Sequence, residues 1–523
     1  MSNLNLPENG TVVIVDEQQS EALPIIKALS KHGIACTYYT SKIDELPEYP
    51  IQYVRILFLD LQLQDGVTDP HQIATQLISV VKKIIRKDNG PYLLVIWSKN
   101  YNQYGAYVET ELKKAEHGVV PSCVISFNKR DCLEEKREYA IQNQEKFMSN
   151  ILDGLDKRID EDEITIITER LKEQINSNFT TYFDAKPNAI QTIETHIAEG
   201  LKKAGVFHLF VIWENLVKRS SGQIVKQISD VIATDEHWES NMRDVFNRMG
   251  VARIGQNSVT PEQLIKHSAI TFTNSFTDTL ETEINRVSFP EHLCSEPNTI
   301  LSIKTNEGLF SIVKAVQGFY LNKNGVNLAN PRMTIGDLEK EIKSLQANDK
   351  VPANLLLNKY FSLPSILNTK LHLEINPTQD HLPGNIYLIG LEDPELKKSR
   401  ILNYFKSVLP EQISEFKLIE LEVSPICDYA QNKWKKSRLL PGILFPEKFE
   451  NAKSGDFYYP IEPVFAIGGQ TYRMIFDFHL FKAMDKEVIN QRAVTYRLKR
   501  ELLLDIIAKL SSHVVRPGVM FVS

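Results

Sequence analysis

Long apolar runs are missing from this chain. No stretch approaches the roughly 18 uninterrupted apolar residues that a membrane-crossing helix needs, and the opening MSNLNLPENG has no basic segment leading into an apolar one. The reading therefore excludes a membrane span and places the chain in the cytoplasm. Cysteine is scarce: Cys36, Cys123, Cys132, Cys294 and Cys427 are odd in number and lack CxxC spacing, which argues against a disulfide framework or a zinc ribbon and for a reducing compartment. Charge of one sign is also missing. A net −6 over 523 residues offers no broad basic face for nucleic acid, and the longest basic run, KWKKSR at 433–438, reads as a solvated loop or strand edge. GLFSIVKAVQG is no P-loop, and FAIGGQTYRM lacks the lysine and hydroxyl of a phosphate cradle. Helix-turn-helix, kinase, cyclase and nuclease signatures, internal repeats and low-complexity tracts are absent as well.

What is present is a chain too long for one core, with 42% apolar and 24% charged residues, ordinary for a folded multidomain protein. Up to about residue 135, short apolar runs alternate with amphipathic stretches. TVVIVD, IACTYYT, ILFLD, YLLVIWS and SCVISFNK have buried-strand character, while SEALPIIKALSKHG, with Ser20 and Gly33 as its stops, and HQIATQLISVVKKIIRK carry helical spacing. Such alternation predicts an α/β, doubly wound, parallel five-stranded domain over 1–138. From 139 to 295 the pattern is helical, in EITIITERLKEQINSNF, in IQTIETHIAEGLKKAGVFHLFVIWENLVKR and onward, and in TPEQLIKHSAITF; Trp213 and Glu214 read as core or domain interface. Residues 296–523 read as an α+β domain with a small, mostly antiparallel sheet, a hairpin turn at Gly468-Gly469 and a long helix over 491–514.

The strand ends carry the chemistry. Asp16 and Glu17 follow strand one, Asp60 strand three, Ser98 strand four and Lys129 strand five, and in a parallel sheet these ends share one edge. Clustered carboxylates there are best neutralised by a divalent cation such as Mg²⁺. A cation in turn invites a phosphoryl group, which the Asp60 carboxylate could attack while Ser98 and Lys129 bind its oxygens.

VVIVDEQQ, ILFLDLQLQDG, LLVIWS and VISFNK together resemble the receiver domain of bacterial two-component response regulators, over about a quarter of the chain. The resemblance implies Asp60 as phosphoacceptor, Asp16, Glu17 and Asp60 as Mg²⁺ ligands with the backbone carbonyl of Gln62, Ser98 as switch hydroxyl and Lys129 as phosphate contact. It further implies a histidine kinase or phosphotransfer protein as partner, contacts with other signalling proteins, and the setting of a large signalling or phage-defence protein; no nucleic-acid or membrane partner is expected, and a homodimer is left open. Two positions depart from the family pattern: Arg130 stands where a proline is usual, and Ser126 where the switch aromatic is usual, with Phe127 one place later. An alternative output is an effector enzyme in the C-terminal domain using Cys427, Asp428, His479, His513 or Arg516; another is a scaffold whose receiver-like domain takes no phosphoryl group.

Overall fold

A computed structural model describes residues 12–31, 33–42, 44–61, 63, 67–99, 101–114, 117–139, 179–232, 234–254, 260–294, 298–390, 393–425, 428–429, 434–449, 452–453 and 457–514. They fall into two compact units, Met1–Ala233 with Phe272–Ser295, and Thr234–Thr271 with Glu296–Ser523.

In the first unit β1 (Val12–Val15), β2 (Cys36–Tyr39), β3 (Ile56–Leu59), β4 (Leu93–Trp97) and β5 (Cys123–Phe127) form an all-parallel sheet in the order β2-β1-β3-β4-β5. This is a doubly wound order whose switch point lies between β1 and β3. The central strands are apolar throughout because both faces are covered. Val12, Ile14, Phe58, Val95 and Trp97 point into one core, Val13, Val15, Leu57, Leu94 and Ile96 into the other, as the two-residue period of a strand requires.

Helices α2 (Pro70–Ile84) and α3 (Tyr101–Leu112) cover the second of these faces. The first is covered by α1 (Gln19–Lys31) and, past the position where the sequence pattern turns helical, by a helix from further along the chain. After the short α4 (Lys129–Cys132) come β6 (Leu133–Tyr139) and β7 (Phe179–Ala185), an antiparallel pair whose second strand lies where helix was expected. Then α5 (Ala189–Ala204) lays Ile190, Ile193, Ile197 and Leu201 on the sheet. EITIITERLKEQINSNF lies almost wholly outside the described residues. A Cβ on Gly200 would stand 2.2 Å from Ile125 Cγ2, so α5 sits on β5 only because position 200 has no side chain. Gly200→Val is expected to cost about 1–3 kcal/mol, the usual penalty of overpacking, in urea unfolding followed by hydrogen exchange on β5.

The second unit contains an antiparallel four-stranded sheet over 299–327 and a larger sheet of nine strands. The latter is antiparallel at every pairing, and it corrects the expectation of a small one: several members, such as Leu373–Ile375 and Phe465–Ile467, are only three residues long and leave little trace in a sequence window. Gly468 and Gly469, both at positive φ, make the expected hairpin turn. The helix expected over 491–514 is in fact a strand, Val494–Leu498, followed by a helix, Arg500–Val514. Val494, Tyr496 and Leu498 are buried and alternate with half-buried Thr495 and Arg497, a two-residue period overlooked beside the stronger helical pattern of RELLLDIIAKL.

Candidate functional site

Asp16 is the residue after β1, Asp60 the residue after β3, and Lys129 lies two beyond β5; all three are in step with the side chains that face α1 and α5. They converge at the carboxyl edge of the sheet, at its switch point. Lys129 is fully buried. Its Nζ lies 2.6 Å from Asp16 Oδ2 and 2.9 Å from Glu21 Oε2, and pairs with Asp60 Oδ2; below it the Trp97 ring centroid is 5.1 Å away. Asp16 is pinned by its own turn, where Gln18 N donates to Oδ1 at 3.0 Å, while Tyr38 Oη donates to its backbone carbonyl at 2.9 Å.

Glu21 is a member of this cluster that strand-end reasoning does not reach, because it enters from the helix. The sequence does carry a signal for it: Glu21, Ile25 and Leu29 follow one another at four-residue spacing and are all buried, so the acid sits on the apolar stripe of α1. Its other oxygen pairs with Lys99, whose ammonium lies 4.4 Å from the Phe183 ring centroid on β7. Ser98 is buried at the end of β4, next to Lys99. Glu17 Oε2 is a buried oxygen with no hydrogen-bond partner. Gln62 lies outside the described residues.

Burial and neighbouring charges together set the protonation of these acids. Burial holds the Asp16 carboxyl up at about 6, against the pull of Lys129, and with Asp60 and Asp16 nearby it pushes Glu17 up to about 8. For Glu21 burial acts in the same direction but is outweighed by Lys129 and Lys99, so that carboxyl is held below its usual range. Burial would push the Lys129 ammonium down; Asp60, Asp16 and Glu21 reverse this and hold it well above its usual range. Neighbouring opposite charges therefore prevail over desolvation for Lys129 and Glu21, and fail to for Glu17.

Oxygens of Asp16, Glu21 and Asp60 all lie within 4.8 Å of one another, an arrangement that could hold a metal ion. The donors are all carboxylates, the set that hard divalent cations take; Glu17, expected as a ligand, is not among the three whose oxygens converge, although its Oε2 is buried without a hydrogen-bond partner.

In the second unit, the ring centroids of His479 and His513 are 6.1 Å apart, and Phe457 stacks on His479. Cys427 and Arg516 lie outside the described residues. Among the described residues no helix is long and apolar enough to cross a membrane.

Comparison with models of known families, with curated proteins and with solved structures returns no match to this chain.

Proposed function

We propose that the first unit is a phosphoryl-accepting switch of the receiver type, with Asp60 as acceptor, a histidine kinase or phosphotransfer protein as donor, and protein contacts or a phosphate-sink role as output. The observation that carries this reading is the meeting of Asp16, Asp60 and Lys129 at the switch-point edge, with Ser98 at the end of the neighbouring strand. A bare strand-end aspartate is commonly a turn residue; being held against a buried lysine and beside a second strand-end acid supports a chemical role for Asp60.

In that chemistry an Asp60 oxygen forms a bond to phosphorus as the bond from phosphorus to the donor imidazole nitrogen breaks, and that nitrogen keeps the electron pair. Lys129, already against Asp60, pairs with a phosphoryl oxygen, and the Ser98 hydroxyl donates to another. Mg²⁺, for which Asp16, Asp60 and Glu21 or Glu17 supply the oxygens, would neutralise charge on the phosphoryl group when bound. Phe127, where β5 ends, stacks on His196 of α5 with centroids 4.8 Å apart, giving a change at the β5 end a direct route to that helix.

A second reading rests on the same lysine. With three carboxylates around it and no exposed surface, Lys129 could serve only to neutralise a structural cluster in a domain that docks without being phosphorylated. Acetyl phosphate with Mg²⁺, read by intact mass, separates the two. The switch predicts one added phosphoryl group on the wild type and none on Asp60→Asn. The structural cluster predicts no adduct on either, and no beryllofluoride binding, under conditions that label a control receiver.

A further inference from the structure

In the second unit a cavity of about 900 Å³ opens between the helix Arg500–Val514, the end of the strand Val494–Leu498 and the loop after Glu422. Its volume is within the range of small-molecule sites. Leu503, Ile507 and Leu510, three and four residues apart, form one wall with Leu504 beside them, an apolar stripe of about 10 Å at the rise of an α-helix. Leu504 is 52% exposed and Phe481 39%, so apolar surface is left open to water in the cavity, where filling it would be favourable.

The charges around this apolar wall are of one sign. Among the described residues, Arg253, Arg438, Arg497, Lys499 and Arg500 line the cavity, and no aspartate or glutamate does. Some of these cations are already committed: Arg497 donates to Asn385 Oδ1 at 2.7 Å and to the carbonyls of Thr378 and Asp380, and Lys499 to the carbonyl of Lys370. Arg253 and Arg438 form no ion pair among the described residues. A matching occupant has an apolar body and an anionic end. A peptide is a poor match, because its backbone would need several partners and the neutral polar side chains of the lining are two serines, of which Ser424 is already bonded to Glu422 and to the Arg438 amide.

We infer that this cavity binds a fatty acid, the alkyl chain along the Leu503–Leu510 stripe and the carboxylate at Arg438 or Arg253. The site is independent of the phosphoryl-accepting edge.

The test is titration of the full chain with dodecanoate, and separately with dodecylamine, by calorimetry and native mass spectrometry. Saturable one-to-one binding of dodecanoate is expected, at least tenfold tighter than dodecylamine. Two variants at exposed positions that should leave the melting temperature unchanged, Arg438→Glu and Leu504→Asp, should each weaken dodecanoate at least tenfold. Absence of saturable binding, or equal binding of the acid and the amine, would overturn the inference. So would a concentration-dependent dimer that Leu504→Asp abolishes and dodecanoate leaves intact, since the apolar wall would then belong to a second copy of the chain.

Discussion

Lys129→Met is expected to destabilise the first unit by about 3–5 kcal/mol near neutral pH, the cost of removing one member of a buried ionic cluster. Methionine keeps the aliphatic volume, so the loss isolates the charge. Asp16, Glu21 and Asp60 would each lose that ammonium, and Glu21 would keep Lys99. The pH dependence has a definite sign. Asp16 and Glu17 titrate in the folded state near 6 and 8 because burial favours their neutral forms. Each therefore contributes stability that is complete below its ordinary pKa and is lost as the pH rises through those values. The wild-type unit should accordingly be more stable at pH 5 than at pH 8.5. In Lys129→Met both carboxyls move further up, so the penalty of the substitution should shrink at pH 5 and grow toward pH 8.5. Urea unfolding with hydrogen exchange read on β1 and β3 measures this and separates it from the other unit. Asp16→Asn added to Lys129→Met should recover part of the loss; a penalty below about 1 kcal/mol that does not vary with pH would mean that the ammonium is not buried among the acids.

How much of this arrangement could be read in advance follows from what each element exposes to a one-dimensional pattern. The parallel sheet was legible because VVIV, ILFL and LLVIW are uninterrupted apolar runs ending in a polar residue, and the convergence of Asp16, Asp60 and Lys129 follows once the strands are parallel. Glu21 was harder, since an acid in the first turn of a helix is favoured by the dipole wherever it points; only its register with Ile25 and Leu29 betrays burial. That α5 completes the sheet was not legible, because the β6 and β7 pair and the residues between them separate it from β5, and nothing local marks a helix as belonging to a distant strand. The close approach at Gly200 is likewise a property of two segments together. In the second unit short strands were absorbed into stronger neighbouring signals, as Val494–Leu498 was by the helix after it.

FHLFVIWENLVKR shows the same limit at the level of one side chain, and here the expected effect is again large. Trp213, the residue that hydrophobicity singles out, is 49% exposed, whereas its neighbour Glu214 receives Arg55 through two nitrogens, Nε at 2.8 Å and Nη2 at 2.6 Å. Arg55 immediately precedes β3 and cannot follow water if the carboxylate is removed. Its Nη1 donates to the carbonyls of Asn89 at 3.0 Å and Pro91 at 3.2 Å, and the residue is 6% exposed. Glu214→Ala is therefore expected to cost about 2–3 kcal/mol, as for a charge-assisted hydrogen bond whose partner stays buried. Trp213→Ala, a far larger truncation, should cost less than Glu214→Ala, because half its surface already faces water. Arg55→Met combined with Glu214→Ala should cost less than the two single losses added, a coupling that a double-mutant cycle in urea measures directly. Since β3 begins beside Arg55 and runs to the residue before Asp60, the same pair ties the strand that leads to Asp60 to the helix Val206–Ser229. Glu214→Ala should thus raise hydrogen exchange along β3, whereas Trp213→Ala should leave it unchanged; equal exchange in the two variants would remove the pair from any role in holding that strand.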